Sequence, residues 1–183
     1  MAADRKIASG SGLRTARSAA GLTAMDAKVK QKTLRMLSNG VYVLTSRNGD
    51  RYGAATVTWV SQVSFKPPLV MAALRRESNV FQCLAESGIA ALHIVADGQH
   101  EIARTFFFPT RANCTTINGE PFAAGRTAAP ILANLPAHIE CQVEQIVDTD
   151  GDHAVVILRV VEAKCRAPVR PLTVAQTPWE YGG

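Results

Sequence analysis

The sequence predicts a mainly β protein with short helices, an antiparallel barrel with helical insertions. Two observations support this prediction. Six or seven runs of β-branched and apolar residues are separated by turn residues, and most of these turns are short enough to join antiparallel neighbours in hairpins. Only two or three segments space their apolar residues as a helix does, and each of them is short.

The first part of the ordered chain, from about Met25, is predicted to hold a short helix and two strands. The helix ends at the sequence SNG, and a strand follows over residues 41–46. Asn48-Gly49 predicts a hairpin turn, because both residues tolerate a positive φ. Residues 52–64 are predicted to return as one long strand, in which Gly53 allows a bend or a close approach.

Two prolines, Pro67-Pro68, end that strand because proline lacks the N–H group that a ladder requires. A buried strand over residues 69–74 follows, and then a helix over residues 79–87, which Ser78 caps and Gly88 ends. The remainder is predicted as a strand over residues 89–95, a short helix over 98–107, an irregular segment over 108–136, and two strands around the turn at 148–152. A loop as long as 108–136 suggests a functional role.

The net charge of +5 is concentrated at the N-terminus. Residues 1–35 hold eight Lys or Arg against two Asp or Glu, whereas the rest of the chain holds twelve against thirteen. The folded part is therefore nearly neutral, and it lacks the basic surface with interleaved aromatic residues that nucleic-acid binders use, so no nucleic acid partner is expected. No window reaches the roughly 18 consecutive apolar residues of a membrane span, so no membrane partner is expected either.

The chain divides into a basic arm over residues 1–24, expected to be disordered, and one domain over residues 25–183. The arm lacks the apolar segment of a secretory signal. Its Arg, Ser and Ala content weakly resembles a transit peptide, and an expression remnant or sequence upstream of a natural start at Met25 are further alternatives. A cytoplasmic location is expected, and an organelle is the alternative that the arm leaves open.

The sequence contains no motif of hydrolytic, nucleoside-triphosphate or metal chemistry. The four cysteines form no CxxC pair and are expected to be reduced, the four histidines are scattered, and no metal site is expected. G-x-S-x-G, Walker and G-x-G-x-x-G patterns are missing. Function is therefore expected to rest on a bound cofactor.

The stretch TVTWVSQVSFKPP, residues 56–68, carries more hydroxyl groups than a strand of a protein core requires. Its polar side chains fall on both faces, so one face could present hydroxyl and amide groups to an anionic ligand. Arg76 and the helix start behind Ser78 would bind a phosphate there, and Trp59 offers a flat surface to an aromatic ring system. An ordinary strand, turn and helix cap is the alternative.

Four segments carry a resemblance to a known family: NGVYVLTSRNGDRYGAATVTWVSQVSFKPPLVMAALRRES, SGIAALHIVADGQHEIARTFF, APILANLPAHIECQV and GDHAVVILRVVEA. In order and spacing, over roughly residues 25–163, they resemble the flavin reductase-like family with its FMN-binding split barrel. The form TWVSQVSF followed by two prolines is similar to flavoredoxins and to the flavin reductases fused to flavodiiron proteins.

The resemblance implies a set of site residues. The family's phosphate turn corresponds to Arg76 and Ser78, and His153 matches a histidine near the nicotinamide or flavin ring, the catalytic candidate. His93 stands where relatives often have Asn. The implied cofactor-binding residues are Thr56, Val57, Thr58, Trp59, Ser61, Gln62, Ser64, Arg76, Ser78, His93 and Phe106.

Each of these residues also has a structural alternative. Arg76 could be a surface charge, His93 a packed strand residue, and His153 part of a turn. In the tail, Trp179 and Tyr181 either pack against the domain or form a lid.

By the same resemblance, the chain is expected to be an enzyme, an NAD(P)H:flavin oxidoreductase. It would bind FMN, with FAD as the alternative, accept hydride from NADH or NADPH, and pass electrons to a second acceptor. A homodimer and an electron-accepting partner protein are implied as well. Two alternatives remain: an FMN-holding electron-transfer module without turnover of its own, and another use of the split barrel, such as pyridoxamine-phosphate oxidase-like chemistry or haem handling.

Overall fold

The computed structural model describes residues 25–179. The predicted arm over residues 1–24 and the tail residue Tyr181 lie outside this part of the chain. Helix α1 spans Ala27–Leu34, α2 spans Asn79–Ser87, α3 spans His100–Thr105, and a single 3-10 turn spans Val174–Gln176. None of the helices within the described residues is long and apolar enough to cross a membrane.

The strands form one large and one small antiparallel sheet, which confirms the mainly β fold. The large sheet has seven strands in the order β2-β1-β5-β9-β10-β4-β3. Its members are β1 (Tyr42–Asn48), β2 (Arg51–Val57), β3 (Val60–Ser64), β4 (Leu69–Arg75), β5 (Ile89–Ile94), β9 (Ala137–Val147) and β10 (His153–Cys165). The small sheet pairs β6 (Thr116–Ile117), β7 (Glu120–Ala124) and β8 (Pro130–Leu132).

The large sheet curls until its two outer strands nearly meet. In a flat sheet, strand spacing would separate β2 from β3 by about 29 Å, yet only Thr58 and Trp59 join them, and that link spans at most about 11 Å. Within the described residues β2 and β3 do not pair with each other. The result is a barrel that stays split at one seam.

This seam corrects the prediction of one long strand over residues 52–64. The segment consists of two strands at opposite edges of the sheet, and it changes edge at Thr58-Trp59. The Trp59 carbonyl accepts a hydrogen bond from the amide of Ala73 on β4, 3.0 Å away, which fixes the crossing point. Alternation of side chains does not reveal such a change of edge, because both halves keep extended backbone.

Two other predicted segments differ in detail. The hairpin loop joining β1 to β2 consists of Gly49 and Asp50, with Asn48 paired to Arg51, so only Gly49 takes a positive φ. Residues 108–136 hold the small sheet instead of an irregular loop. Asn118 and Gly119 both take positive φ and turn β6 into β7, a short hairpin whose strands are too brief to show periodicity.

The central strands β1 and β5 of the large sheet are buried on both faces. Leu44 and Leu92 point into the barrel, where helix α2 closes one end with Leu84. Val43, next to Leu44 in β1, points to the outer core, in which Phe106 also lies. Burial on both faces explains why the strands have nearly continuous apolar runs.

Helix α2 lies directly against β2, and Gly53 allows that approach. A Cβ atom at this position would lie 2.5 Å from the Val80 Cα and 2.6 Å from the Asn79 carbonyl oxygen, so any side chain would displace the helix start. Ser78 caps the helix by accepting a hydrogen bond from the Phe81 amide, and Gly88 ends it with φ of 71°. The close approach predicted for Gly53 is therefore present.

His93 lies in the middle of β5 and is completely buried. Its Nε2 accepts a hydrogen bond from the Leu132 amide at 3.0 Å, so the proton is on Nδ1, which donates to the Val43 carbonyl at 3.0 Å. The ring thus joins β5 to β1 and β8. Because both ring nitrogens have protein partners, the structure does not bring His93 to a ligand; it is a neutral histidine of the core.

Burial lowers the pKa of His93 to about 4, and the neighbouring His138 on β9 contributes to the same effect. The unfolded chain takes up this proton at about pH 6.5, whereas the folded chain resists it until about pH 4. The neutral ring therefore stabilises the fold fully above pH 6.5, and this stability is lost as the pH falls from 6.5 towards 4.

We expect the free energy of unfolding, measured by urea denaturation, to fall by about 2 kcal/mol between pH 7.5 and pH 5 because of His93. In His93→Asn, an amide replaces the titrating ring, so the fall with pH should be smaller by about that amount, whatever the variant's stability at pH 7.5. His100→Asn, which removes a partly exposed histidine in α3, is the control. Parallel pH profiles for the wild type and His93→Asn would contradict the assignment.

Candidate functional site

A groove lies beside the seam, between β2 and the end of β4. Three adjoining cavities, of about 110, 350 and 300 Å³, form it and share Ala55 of β2 as a wall residue. We define the groove by its recurring wall residues, which are Ala55, Thr56, Thr58, Arg75, Ser78 and Phe106. The groove exists because the sheet curls without closing.

Thr58 lies at the base of the groove and carries a polar atom without a partner. Its side chain is 6% exposed. Among the buried side-chain oxygen and nitrogen atoms of the described residues, Thr58 Oγ1 is the one that makes no hydrogen bond. A buried hydroxyl is normally satisfied, and leaving one unpaired costs about 1–3 kcal/mol. An unpaired hydroxyl in the wall of a groove is the arrangement expected where a ligand supplies the missing partner.

One end of the groove favours an anion. Arg75, the last residue of β4, lines the groove together with Ser78, the N-cap of α2. The first N–H groups of a helix have no partner within that helix, and the helix dipole adds positive potential there. A guanidinium beside a helix N-terminus is an arrangement that suits a phosphate group.

The same part of the groove also carries aromatic rings, because His153 pairs with Arg75 across β10 and β4 and Trp59 lines the same cavity of about 110 Å³. The rings of Trp59 and His153 lie 4.7 Å apart and are tilted by 49°. His153 Nδ1 donates to the Asp152 carboxylate at 2.7 Å, and this hydrogen bond lowers the pKa of Asp152. With Nδ1 engaged, Nε2 is the ring nitrogen that remains for a ligand. His153, the predicted catalytic residue, therefore lies at the groove.

Arg76 does not line the groove; it binds the turn between β9 and β10. Its guanidinium donates to Asp148 Oδ1 at 3.2 Å, to the Thr149 carbonyl at 2.6 Å and to the Gly151 carbonyl at 2.5 Å. Arg75 ends β4, whereas Arg76 is the first residue of the turn that follows, so the two side chains are placed differently. The structure thus places Arg75, and not the predicted Arg76, at the groove.

The predicted strand residues divide between the two edges. Val57 and Thr58 line the groove, whereas Thr56 uses its donors internally: its hydroxyl donates to the Ala103 carbonyl at 2.6 Å, and its amide donates to the Phe106 carbonyl at 3.3 Å. Phe106 forms part of the wall. The hydroxyl and amide donors of Thr56 are therefore not available to a ligand.

Three predicted residues do not reach the groove. Ser61, Gln62 and Ser64 belong to β3, the opposite edge of the sheet, and face mainly solvent. Their side chains make local hydrogen bonds: Ser61 donates to the Gln62 carbonyl, and Gln62 donates to the Ser64 carbonyl. They lie on β3, across the seam from β2, and none of them is a wall residue of the three cavities.

The tail brings Trp179 to the groove, a residue predicted either to pack against the domain or to form a lid. Leu172 exchanges backbone hydrogen bonds with Val41 and Val95, and the tail then places Trp179 against the groove. The rings of Phe107 and Trp179 meet edge to face at 4.7 Å. The sequence shows both aromatic residues, but it carries no periodic pattern from which the contact between Phe107 and Trp179 could be predicted.

Comparisons with known proteins agree with this geometry. The family model described as flavin reductase like domain matches residues 34–178. A flavin reductase (NADH) of Kitasatospora aureofaciens is 33% identical over 136 residues, covering 73% of this chain and 69% of the relative. Diflavin flavoprotein A 1 of Synechocystis is 27% identical over 137 residues, and this chain spans only 23% of its length.

Solved structures support the fold. An NADH:FAD oxidoreductase of Streptomyces globisporus superposes with a TM-score of 0.69 at 21% identity, covering 83% of this chain and 92% of the other. The styrene monooxygenase flavin reductase of Pseudomonas putida S12 superposes with a TM-score of 0.64 at 25% identity, covering 79% and 90%. The split barrel, the groove along its seam and the match over residues 34–178 lead to one conclusion: the chain belongs to the flavin reductase-like domain family.

Proposed function

We propose that the chain is an NAD(P)H-dependent flavin oxidoreductase that binds FMN in the groove, takes hydride from a nicotinamide nucleotide and delivers electrons to a second acceptor. The observation that carries the proposal is the unpaired, buried Thr58 Oγ1 in a groove whose wall combines a cation with aromatic rings. Family membership and the likeness to a flavin reductase (NADH) support it.

The residues of the groove fit a flavin. Thr58 would hydrogen-bond the polar edge of the ring system, which carries both donors and acceptors. Arg75, Ser78 and the start of α2 would hold the phosphate. Trp59, 36% exposed, offers an apolar surface beside the ring. The site suits FMN without requiring a donor from Thr56.

When bound, flavin would supply the redox chemistry, as the acceptor of a hydride from the nicotinamide and the donor of two electrons to the second acceptor. The chain contributes binding, orientation and exclusion of water. It needs no strong general base, because a hydride leaves carbon with both bonding electrons and no proton is abstracted there. His153, which holds a proton at Nδ1 towards Asp152, would orient the nicotinamide through Nε2.

Arg76 has a supporting role in this proposal. Its three hydrogen bonds fix the turn at residues 148–151, immediately before Asp152 and His153. Thr149 Oγ1 also donates to the His153 carbonyl at 2.8 Å. Arg76 therefore acts through the turn, as a positioning residue for His153, and Arg75 takes the phosphate-binding role that the sequence suggested for Arg76.

The proposal extends to assembly and partners. Val63 and Phe65 are 48% and 85% exposed, and exposed apolar surface of this kind favours contact with a second copy of the chain. A homodimer is proposed on this ground. The acceptor is proposed to be free flavin or a partner protein, and four free cysteines suit a reducing compartment such as the cytoplasm.

A second function remains in view: an FMN-holding module that receives its electrons from elsewhere. The observation that favours it is that this chain spans only 23% of the length of the diflavin flavoprotein to which it is similar. A domain that forms one part of a longer chain can depend on the other parts for its electrons.

We expect the purified protein to bind FMN and to oxidise NADH or NADPH steadily in air when FMN is in excess. Absorbance at the flavin and nicotinamide bands measures both, and the same mixture without protein is the control. A bound flavin that neither nucleotide reduces would support the module without turnover. Failure to bind FMN at all would contradict both functions.

Thr58→Val tests the groove directly. The substitution keeps the shape but removes the unpaired hydroxyl, so the ligand-free protein should become more stable by about 1 kcal/mol. FMN affinity, measured by titration of flavin fluorescence, should fall about fivefold to tenfold, because one hydrogen bond is lost.

Thr45→Val is the matched control for that experiment. Thr45 is also buried, but its hydroxyl donates to the Pro130 carbonyl at 2.6 Å, away from the groove. Its removal should lower stability by about 1–2 kcal/mol and leave FMN affinity unchanged. Equal losses of stability in both variants, with equal FMN affinity, would show that Thr58 has no ligand.

A further inference from the structure

A further cavity lies outside the groove, on the segment between α3 and β7. It has a volume of about 630 Å³ and is open to solvent. Ligand pockets typically have volumes of about 300–1,000 Å³. We call it the loop pocket and define it by its lining residues Thr105, Phe108, Pro109, Arg111, Asn113 and Asn118.

Hydrogen bonds hold the loop pocket open in a fixed shape. Asn118 donates through Nδ2 to the Thr105 carbonyl at 2.8 Å, accepts from the Arg111 amide at 2.7 Å, and donates its own amide to the Arg111 carbonyl at 2.7 Å. Asn113 Oδ1 accepts from the amides of Thr115 and Thr116, each at 2.8 Å. A loop ordered by its own side chains, and not collapsed, is typical of a binding loop.

The walls of the loop pocket combine an aromatic ring with a cation. Phe108 is 64% exposed, and Pro109 adds apolar surface beside it. The Arg111 guanidinium makes no ion pair or side-chain hydrogen bond to any residue between 25 and 179. A flat ring and an uncommitted guanidinium suit a ligand with a heteroaromatic base and an anionic group.

The loop pocket adjoins the phosphate-binding end of the groove. Phe108 and Pro109 line both the loop pocket and the cavity of about 300 Å³ that contains Ser78 and Asn79 at the start of α2. A ligand with a phosphate at the helix start could therefore continue past Phe108 into the loop pocket. A mononucleotide would end at the helix, whereas a dinucleotide would reach further.

We propose that the loop pocket binds the adenosine diphosphate end of a dinucleotide whose other end occupies the groove. This inference rests on the proposed function. Phe108 stacks against the adenine base, and Arg111 pairs with the diphosphate. The same chemistry is present in FAD and in NAD(P)H, so the source is decided by experiment.

Arg111→Ala tests the proposal, with Arg104→Ala as the matched control. Arg104 is also exposed, in α3, but pairs with Glu101 and does not line the loop pocket. The backbone of residue 111 is held by Asn118, so the variant should fold. The measurements are the dissociation constants of FMN and FAD by flavin fluorescence, and the KM for NADH with FMN as the flavin.

If FAD is the source, Arg111→Ala weakens FAD binding about tenfold, the effect of one charge-assisted hydrogen bond, and leaves FMN binding unchanged. If the nicotinamide nucleotide is the source, the KM for NADH rises by a similar factor and the flavin constants stay the same. Arg104→Ala changes none of the three.

No change in any of the three constants would overturn the inference while leaving the proposed function intact. An equal loss of FMN and FAD affinity would overturn it as well, because the arginine would then act on the flavin end. Failure of the wild-type protein to bind either flavin would refute the proposed function and this inference with it.

Discussion

The account depends on one constraint: a seven-stranded sheet whose outer strands are joined by only two residues. The sheet is six strand spacings wide, and it must curl until the gap between β2 and β3 is short enough for Thr58 and Trp59 to bridge. The curl buries the inner face, and the missing pairing between β2 and β3 leaves the seam. Along that seam β2, the end of β4 and the start of α2 converge, so the geometry of the groove follows from sheet closure and not from a dedicated binding loop.

The buried polar residues differ in whether the protein satisfies their hydrogen bonds, and this difference separates those that stabilise the fold from the one that is left for a ligand. His93 and Thr45 are buried polar residues whose hydrogen bonds are all satisfied within the protein, and they join the strands of the barrel. Thr58 is equally buried but unsatisfied, and it faces the groove. Within the described residues, the other buried polar side chains have hydrogen-bond partners, and only the Thr58 hydroxyl lacks one. This unpaired hydroxyl lowers the stability of the ligand-free fold by about 1–3 kcal/mol, which a ligand that bonds to it can restore.

Much of the fold was predictable from the sequence, whereas the site was predictable only in part. Helix α2, with its Ser78 cap and Gly88 end, and the two long final strands followed from local signals. The separation of Ser61 from Thr58 did not, because a change of sheet edge leaves the alternation of side chains intact. Arg75 and Arg76 are chemically identical neighbours, and the sequence does not show that β4 ends between them or that Arg76 bonds the turn at residues 148–151.

The most direct test of the central claim is a crystal structure of the protein with FMN bound. The account predicts flavin along the seam, with a ring nitrogen or oxygen within hydrogen-bond distance of Thr58 Oγ1 and the phosphate at the start of α2 beside Arg75. Flavin bound elsewhere, or a seam filled by the protein's own side chains with Thr58 satisfied among them, would contradict it.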